Sequence, residues 1–286
     1  MVITAAVFLT LFVAFAADAH DINVNARGPV NDCSDVTFSI GDGETFKGEQ
    51  RLQVGGAVLA LRLGSTRGIP LKISGSDRSG YELLLCKGAG SAADLGTVRL
   101  EQRGSEISVE GPDSNKWAGY LLVKAPRNGE LDVQASNGPV SIDTLSGRLD
   151  LRTANGPVSL KNMGGAVTVE ARNGPLSFSG RSGEVKLTAL NGPMTIQLEG
   201  TSWEGGELEA STQNGPLSLR VPDQYATGIV VKKGAHAPFN CPAELCGERA
   251  RWPEDRTETV EIGSLPARIR VTSQNGPVTV GKPRAK

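Results

Sequence analysis

The tripeptide Asn-Gly-Pro begins at Asn137, Asn155, Asn173 and Asn191, each copy 18 residues after the one before, and returns at Asn214 and Asn275. Aligned on it, the chain reads LDVQASNGPVSI, LDLRTANGPVSL, VTVEARNGPLSF and VKLTALNGPMTI, with further copies in LEASTQNGPLSL (208–219) and IRVTSQNGPVTV (269–280). Self-similarity at a short fixed period marks a chain that winds through equivalent coils, none of which can bury its apolar face without its neighbours.

Each unit holds two alternating runs. Before the Asn, apolar positions such as Leu131, Val133 and Ala135, or Leu149, Leu151 and Thr153, interleave with polar ones such as Asp132, Gln134, Arg152, Glu170 and Lys186. After the Pro come Val140 and Ile142, Val158 and Leu160, Leu176 and Phe178, Met194 and Ile196. Period-two alternation of aliphatic and β-branched residues means half-buried strands with one wet face. Such units fit either a meander of hairpins or a stack of parallel coils, and the proline separates the two. In a two-residue Asn-Gly hairpin the residue after Gly donates its N–H to close the first strand pair. Here that residue is Pro139, Pro157, Pro175, Pro193, Pro216 or Pro277, which has no proton to give. The tripeptide suits a corner where the chain changes sheet, with Gly taking the φ the bend needs and Pro stiffening the exit.

The expected fold is therefore all-β, a single-domain parallel β-solenoid with two-strand coils of 18 residues. Equivalent side chains would stack about 4.8 Å apart. That gives an Asn ladder of Asn137, Asn155, Asn173, Asn191, Asn214 and Asn275, and a hydroxyl ladder of Ser141, Ser159, Ser177, Thr195, Ser218 and Thr279. Both ladders are read as structural, satisfying corner and surface hydrogen bonds, with a repetitive binding face as the alternative. A transmembrane barrel needs strands of about 9–11 residues and an apolar outer band; these strands are shorter and carry charge outward.

Residues 1–19, MVITAAVFLTLFVAFAADA, end in the small-residue site Ala17-Asp18-Ala19 and read as a secretory signal cleaved before His20. Retention as an anchor is the alternative, because an apolar run of about 17 residues lies at the lower limit for a bilayer span. With cleavage no membrane span remains, and the protein is exported to the periplasm, the cell surface or the medium. Removing this segment takes one of the 31 acidic side chains and none of the 30 basic ones, so the net charge rises from −1 to about zero. That balance excludes nucleic acid as a partner, which calls for a basic patch or stripe. Thirty-six Gly and 16 Pro in 286 residues make a turn-rich chain, still below the level of low complexity.

Four cysteines, Cys33, Cys86, Cys241 and Cys246, suit an oxidising destination. Cys241 and Cys246 bracket a four-residue loop and are expected to pair, leaving Cys33 for Cys86, although four cysteines allow three connectivities. The spacing lacks the paired Cys-x2-Cys of a zinc site, and the chain has only two His. Residues 20–56 lack the repeat and read as a cap over the first coil. The repeat begins in degenerate form at Ala57 and extends to 281, with five extra residues around Thr201–Gly205. An excursion over 222–262 holds both C-terminal cysteines with His236, Phe239 and Trp252, and is the candidate partner-binding loop. The tail 282–286, Lys-Pro-Arg-Ala-Lys, reads as blunting a terminal strand edge.

The segment LRLGSTRGIPLKISGSDRS, followed by LLVKAPRNGELDVQASNGPVSI and the tandem units, resembles the bacterial DUF4097 family of putative-adhesin β-solenoid proteins over roughly residues 57–281. The chain departs from that family's pattern at Ser76, where Trp is frequent, and in the Pro after Asn-Gly, where Asp is commoner. The resemblance implies a right-handed β-helix-like winding, an envelope or exported location and no catalytic residue. The expected function is that of a non-enzymatic, cofactor-free exported solenoid, adhesin-like, that displays a repetitive surface to a protein or glycan of the cell envelope.

The alternative is a carbohydrate-acting β-helix enzyme of lyase or glycosidase type, for which Glu204, Glu207 and Glu209 beside Trp203 are the nearest carboxylate cluster. An aromatic content of 5% argues against a sugar-stacking groove, and no nucleophile elbow is present for Ser-His-Asp chemistry. Cleavage would expose His20 as a terminal histidine, as in the lytic polysaccharide monooxygenases, with His236 as the second imidazole for copper. Those enzymes are β-sandwiches, so no metal is expected here.

Overall fold

The corner is where the sequence acts most directly. A computed structural model describes residues 22–26, 28–56, 58–63, 68–114, 116–247, 249–252, 258–264 and 266–283. In it, the residue after each Pro donates its N–H to the carbonyl of the Pro one rung on. Val140 donates to Pro157, Val158 to Pro175, Leu176 to Pro193, Met194 to Pro216 and Leu217 to Pro277, all at 2.8–2.9 Å. Proline thus only ever accepts, which its chemistry allows. Gly138, Gly156, Gly174, Gly192 and Gly215 take φ of +104°, +120°, +124°, +139° and +152°, values open to glycine alone.

Inward of the corner, Leu131, Val133 and Ala135 face Val140 and Ile142, and all five are buried. Each fully buried Leu, Val or Ile is worth about 1.5–3 kcal/mol relative to exposure, but only because the rungs above and below exclude water. Thr153 lies at the corner-proximal inward position, as the alternation requires, and is 4% exposed.

In chain order the strands are β1 (Ile22–Ala26), β2 (Val36–Ile40), β3 (Phe46–Val54), β4 (Val58–Leu63), β5 (Leu71–Ser76) and β6 (Tyr81–Ala89). Helix α1 (Ala92–Thr97) leads to β7 (Arg99–Arg103), β8 (Glu106–Glu110) and β9 (Trp117–Pro126). The regular rungs are β10 (Glu130–Asn137) with β11 (Val140–Asp143), β12 (Arg148–Asn155) with β13 (Val158–Met163), β14 (Ala166–Asn173) with β15 (Leu176–Gly180), β16 (Glu184–Asn191) with β17 (Met194–Leu198), and β18 (Leu208–Asn214) with β19 (Leu217–Arg220). Then follow β20 (Ile229–Lys233), β21 (Phe239–Asn240), α2 (Ala243–Cys246), β22 (Ala250–Arg251), β23 (Thr259–Ile262), β24 (Ile269–Asn275) and β25 (Val278–Gly281).

Among the described residues, strands before the corner form a 12-stranded first sheet, and strands after it an 11-stranded second sheet. From β10 to β19 all neighbours are parallel, with Asn137, Asn155, Asn173, Asn191 and Asn214 aligned in turn and one register shift, between Leu160 and Met163, where β13 meets β15. This is the β-solenoid that the repeat predicts.

The ends depart from a simple winding. The β4–β5 rung lies between β8–β9 and β10–β11, so the second rung in the chain is the lower neighbour of the first. Antiparallel pairing enters here, β3 with β6, β6 with β9, and β7 with β8. The degenerate units ahead of β10 are thus stacked out of chain order. The N-terminal cover is shared by 46–54 and 81–126, whose Leu52, Leu95 and Leu100 close the mouth of the core. The β1–β2 pair lies over the outer side of β6 and β9, with Phe38, Ile40 and Val36 against Leu84, Ala118 and Leu122, and the Cys33–Cys86 disulfide bonds it there.

At the other end β24–β25 slots between β18–β19 and β20–β21, so the last copy of the repeat is an interior rung. The terminal edge that the tail was expected to blunt is therefore already paired. Lys282 instead bridges Asp223 at 3.0 Å and Glu244 at 3.1 Å; the hydrogen bond to Asp223, then that to Glu244, holds its ammonium above the ordinary lysine pKa. Excursion residues Leu245 and Cys246, with Phe239 and Cys241, pack onto the end of the core, and Cys241 is bonded to Cys246. The five extra residues before β18 bring Trp203 inside, 3% exposed. Its indole donates to the Gly183 carbonyl at 3.0 Å, and its ring lies 6.5 Å from that of Phe178.

Candidate functional site

Register turns the sequence repeat into columns on the outside of the stack. The Asn column is continuous: Asn155 donates to Asn137, Asn173 to Asn155, Asn191 to Asn173, Asn214 to Asn191 and Asn275 to Asn214, each through its amide, at 2.8–3.1 Å. Each donor reaches back one rung, whereas the backbone N–H groups of the same corners donate forward. The hydroxyl column Ser141, Ser159, Ser177, Thr195, Ser218 and Thr279 stands in register on the second sheet. Ser177 there returns a bond to the Val158 carbonyl at 3.2 Å. With its amides tied rung to rung, the Asn column has the geometry of a stabilising ladder.

The outer face of the first sheet is different. One of its columns reads Asp132, Asp150, Thr168, Lys186, Glu209, Arg270 and the next reads Gln134, Arg152, Glu170, Thr188, Ser211, Thr272. Arg62 grips Asp132 through two bonds of 3.0 and 3.1 Å. Arg152 reaches Asp150 at 3.2 Å and Glu170 at 3.6 Å, and Arg270 pairs with Glu207. Exposed pairs of this kind contribute roughly 0–1 kcal/mol each, so they order the face more than they stabilise it. Two shallow concavities lie along it. One, of about 470 Å³, is lined by Arg62, Arg152, Arg172 and Glu170 among others. The other, of about 200 Å³, is lined by Lys186, Lys232, Arg270 and Glu209 with small polar and apolar groups. Each therefore holds three basic side chains and one carboxylate, on a chain whose net charge is −1.

The candidate partner loop is only partly brought together. Phe239 and Trp252 meet edge to face with centroids 5.4 Å apart, and Trp252 is 51% exposed. His236 is exposed in the corner between β20 and β21. His20 lies outside the described residues, as do the signal segment 1–19 and the last three tail residues. The carboxylate cluster weighed for glycoside chemistry loses its aromatic wall, because Trp203 is in the core. Glu207 is engaged by Arg270, and its own N–H is bonded to Glu184 at 3.0 Å. What sequence reasoning missed is the clustering of basic side chains on the first sheet. Register sets Arg62 and Arg152 in one column on either side of Gln134, with Arg172 two residues beyond Glu170 on the following rung.

Among solved structures there are weak likenesses of fold. A "putative cell adhesion protein" from Clostridium sporogenes matches at TM-score 0.32 and 12% identity, over 83% of this chain and 100% of that one. A "putative adhesin" from Bacteroides fragilis matches at 0.35 and 12%, over 84% and 97%. A "putative lipid binding protein" from Parabacteroides distasonis matches at 0.39 and 12%, over 83% and 97%. No protein-family model and no curated protein sequence matches the chain. Among the described residues no helix is long and apolar enough to cross a membrane.

Proposed function

We propose that this protein is an exported, non-enzymatic, adhesin-like scaffold that lays the outer face of its first sheet against an acidic polymer of the cell envelope. The observation that carries the reading is the pair of basic-lined concavities on one rigid face. Basic side chains gathered on one face, Arg62, Arg152 and Arg270 ion-paired and Arg172, Lys186 and Lys232 beside them, suit a chain of carboxylate, phosphate or sulfate groups, because several sites on one scaffold engage several groups at once. Export fits two disulfides in a chain of this kind. Domain limits follow the same reading, with a removed leader, an end cover, the stacked rungs and a stapled C-terminal stopper.

The test is a glycan array carrying acidic and neutral polymers, probed with the wild type and with Arg152→Glu/Arg172→Glu, beside an assay for released reducing sugar. Salt-sensitive binding to acidic polymers that falls at least about tenfold in the variant supports the proposal. Equal binding by both proteins would dismiss the face, and turnover would move the protein to the carbohydrate-acting alternative.

A further inference from the structure

The two ends of the stack are finished differently. At the C-terminal end the outermost strands, β21 and β22, are two residues long and the Cys241–Cys246 loop sits beside them. At the N-terminal end the second sheet terminates on β3, nine residues long. One edge of β3 pairs with β6 from Phe46 to Val54. Among the described residues no strand pairs with the other edge. A free edge of that length is a template for another strand.

The sequence of β3, FKGEQRLQV, is self-complementary in charge about Gln50, through Glu49 and Arg51. Laid antiparallel on a second copy, Phe46 faces Val54, Lys47 faces Gln53, Gly48 faces Leu52 and Glu49 faces Arg51. Directly opposed residues share a face. Register with β6 puts Glu49 and Arg51 on the outer side, opposite Cys86 and Leu84, and Gln50 and Leu52 on the core side, opposite Leu85 and Leu83. Both copies therefore present apolar groups inward and both signs of charge outward. Moving the axis to residue 49 sets Glu49 against itself and Lys47 against Arg51, and moving it to residue 51 sets Arg51 against itself. Like charges directly opposed are destabilising, so the full-length register about Gln50 is favoured over its two neighbours.

We infer that β3 is the pairing edge of a homodimer, in which two copies join antiparallel about a two-fold axis at Gln50 and make one continuous second sheet. The stoppered C-terminal end offers no comparable edge, so the contact is isologous and closes at two copies instead of growing into a fibre. Alternating charge, which on a lone edge discourages pairing, here specifies the partner.

Sedimentation of the full exported chain from micromolar to about 100 μM in low salt tests this. Wild type is expected to dimerise. Glu49→Arg and Arg51→Glu, each alone, replace two attractive pairs by two repulsive ones and weaken the dimer at least about tenfold. An equimolar mixture of these two variants sets like-charged strands of opposite sign together and regains the dimer. That recovery separates pairing from a structural role, since mixing cannot restore the contacts of Arg51 within its own chain to Asp32 and Glu82. A monomeric wild type across the range, single variants that stay dimeric, folded variants that fail to associate on mixing, or mass growing beyond two copies would each overturn the inference.

Discussion

Replacing Gly174 by Ala should cost far more than replacing Asn173 by Ala, although the Asn column is the conspicuous feature of the corner. At Gly174 the backbone has φ +124°, and a Cβ built there would lie 2.8 Å from the carbonyl carbon of Gly156, one rung earlier, and closer still to its oxygen. The strain of that φ alone is of order 1–3 kcal/mol. Relieving the overlap must also push adjacent rungs apart where Gly156 donates to Asn173 and Gly174 to Asn191, both at 3.0 Å, and each such bond contributes about 1 kcal/mol. The expected loss is about 3–5 kcal/mol. Asn173→Ala removes bonds to Asn155 at 2.9 Å, from Asn191 at 3.0 Å and to the Ala154 carbonyl at 3.3 Å. All are exposed, so water replaces them and the net loss is about 1 kcal/mol. Urea unfolding should separate the midpoints by about 1 M, and amide exchange in the flanking rungs should show the Gly174→Ala lesion spreading to its neighbours. If Asn173→Ala proves as damaging as Gly174→Ala, the side-chain amides hold the stack together and the steric argument fails.

The disulfides should differ in weight. Cys33–Cys86 closes 53 residues and Cys241–Cys246 closes five, so loop-closure entropy gives about 4 and about 2 kcal/mol, and thermal melts of Cys33→Ser and Cys241→Ser should follow that order. Acid should loosen the β1–β2 strap. Backbone N–H groups of Asn31 and Asp32 hold the Asp35 carboxyl below its ordinary value, and Arg78, followed by the charge of Lys124, does the same to Glu82. Carboxyls with depressed pKa contribute stability that is present above their unfolded values and lost as pH falls through the folded ones. The Tm of wild type should therefore drop below about pH 4, and Asp35→Asn/Glu82→Gln should flatten that slope; an unchanged slope refutes the assignment. Trp203→Ala should cost about 3–5 kcal/mol, measured by urea melts, if the insertion is a core element and not a surface loop.

The coil was legible because three independent constraints coincide in one tripeptide. A non-donating Pro, a Gly at positive φ and an Asn in vertical register are each weak alone, but their recurrence at 18 residues allows only a parallel stack. The charged face was less legible, because a column forms from residues 18 or more apart and the sequence shows Arg62, Arg152 and Arg172 only as scattered bases. Trp203 was misplaced beside a carboxylate cluster for a related reason. An insertion in a coil is usually a surface loop, and only the packing against Phe178 shows that this one folds inward.

The order of the rungs was the least legible feature, and it has a physical cause. A rung docks wherever its corner is complementary, and nothing in the pairing requires it to follow its predecessor in the chain. The last unit carries Asn275, Gly276 and Pro277, and so fits the rung of Asn214, to which Asn275 donates at 3.1 Å. The segment between them has only His236-Ala237-Pro238 at its corner, yet Pro238 still accepts from Val278 at 2.9 Å. It can therefore stack on a proline corner from outside, but it has no amide with which to continue the Asn column. Placing the amide-bearing unit inside and the amide-free one outside keeps every Asn on an Asn, and leaves at the end a rung whose strands are short and whose exit is stapled. The 61-residue interval before Asn275 was thus a statement about three-dimensional order, because an intact corner so far along the chain must return to the ladder, and whatever precedes it must stand aside.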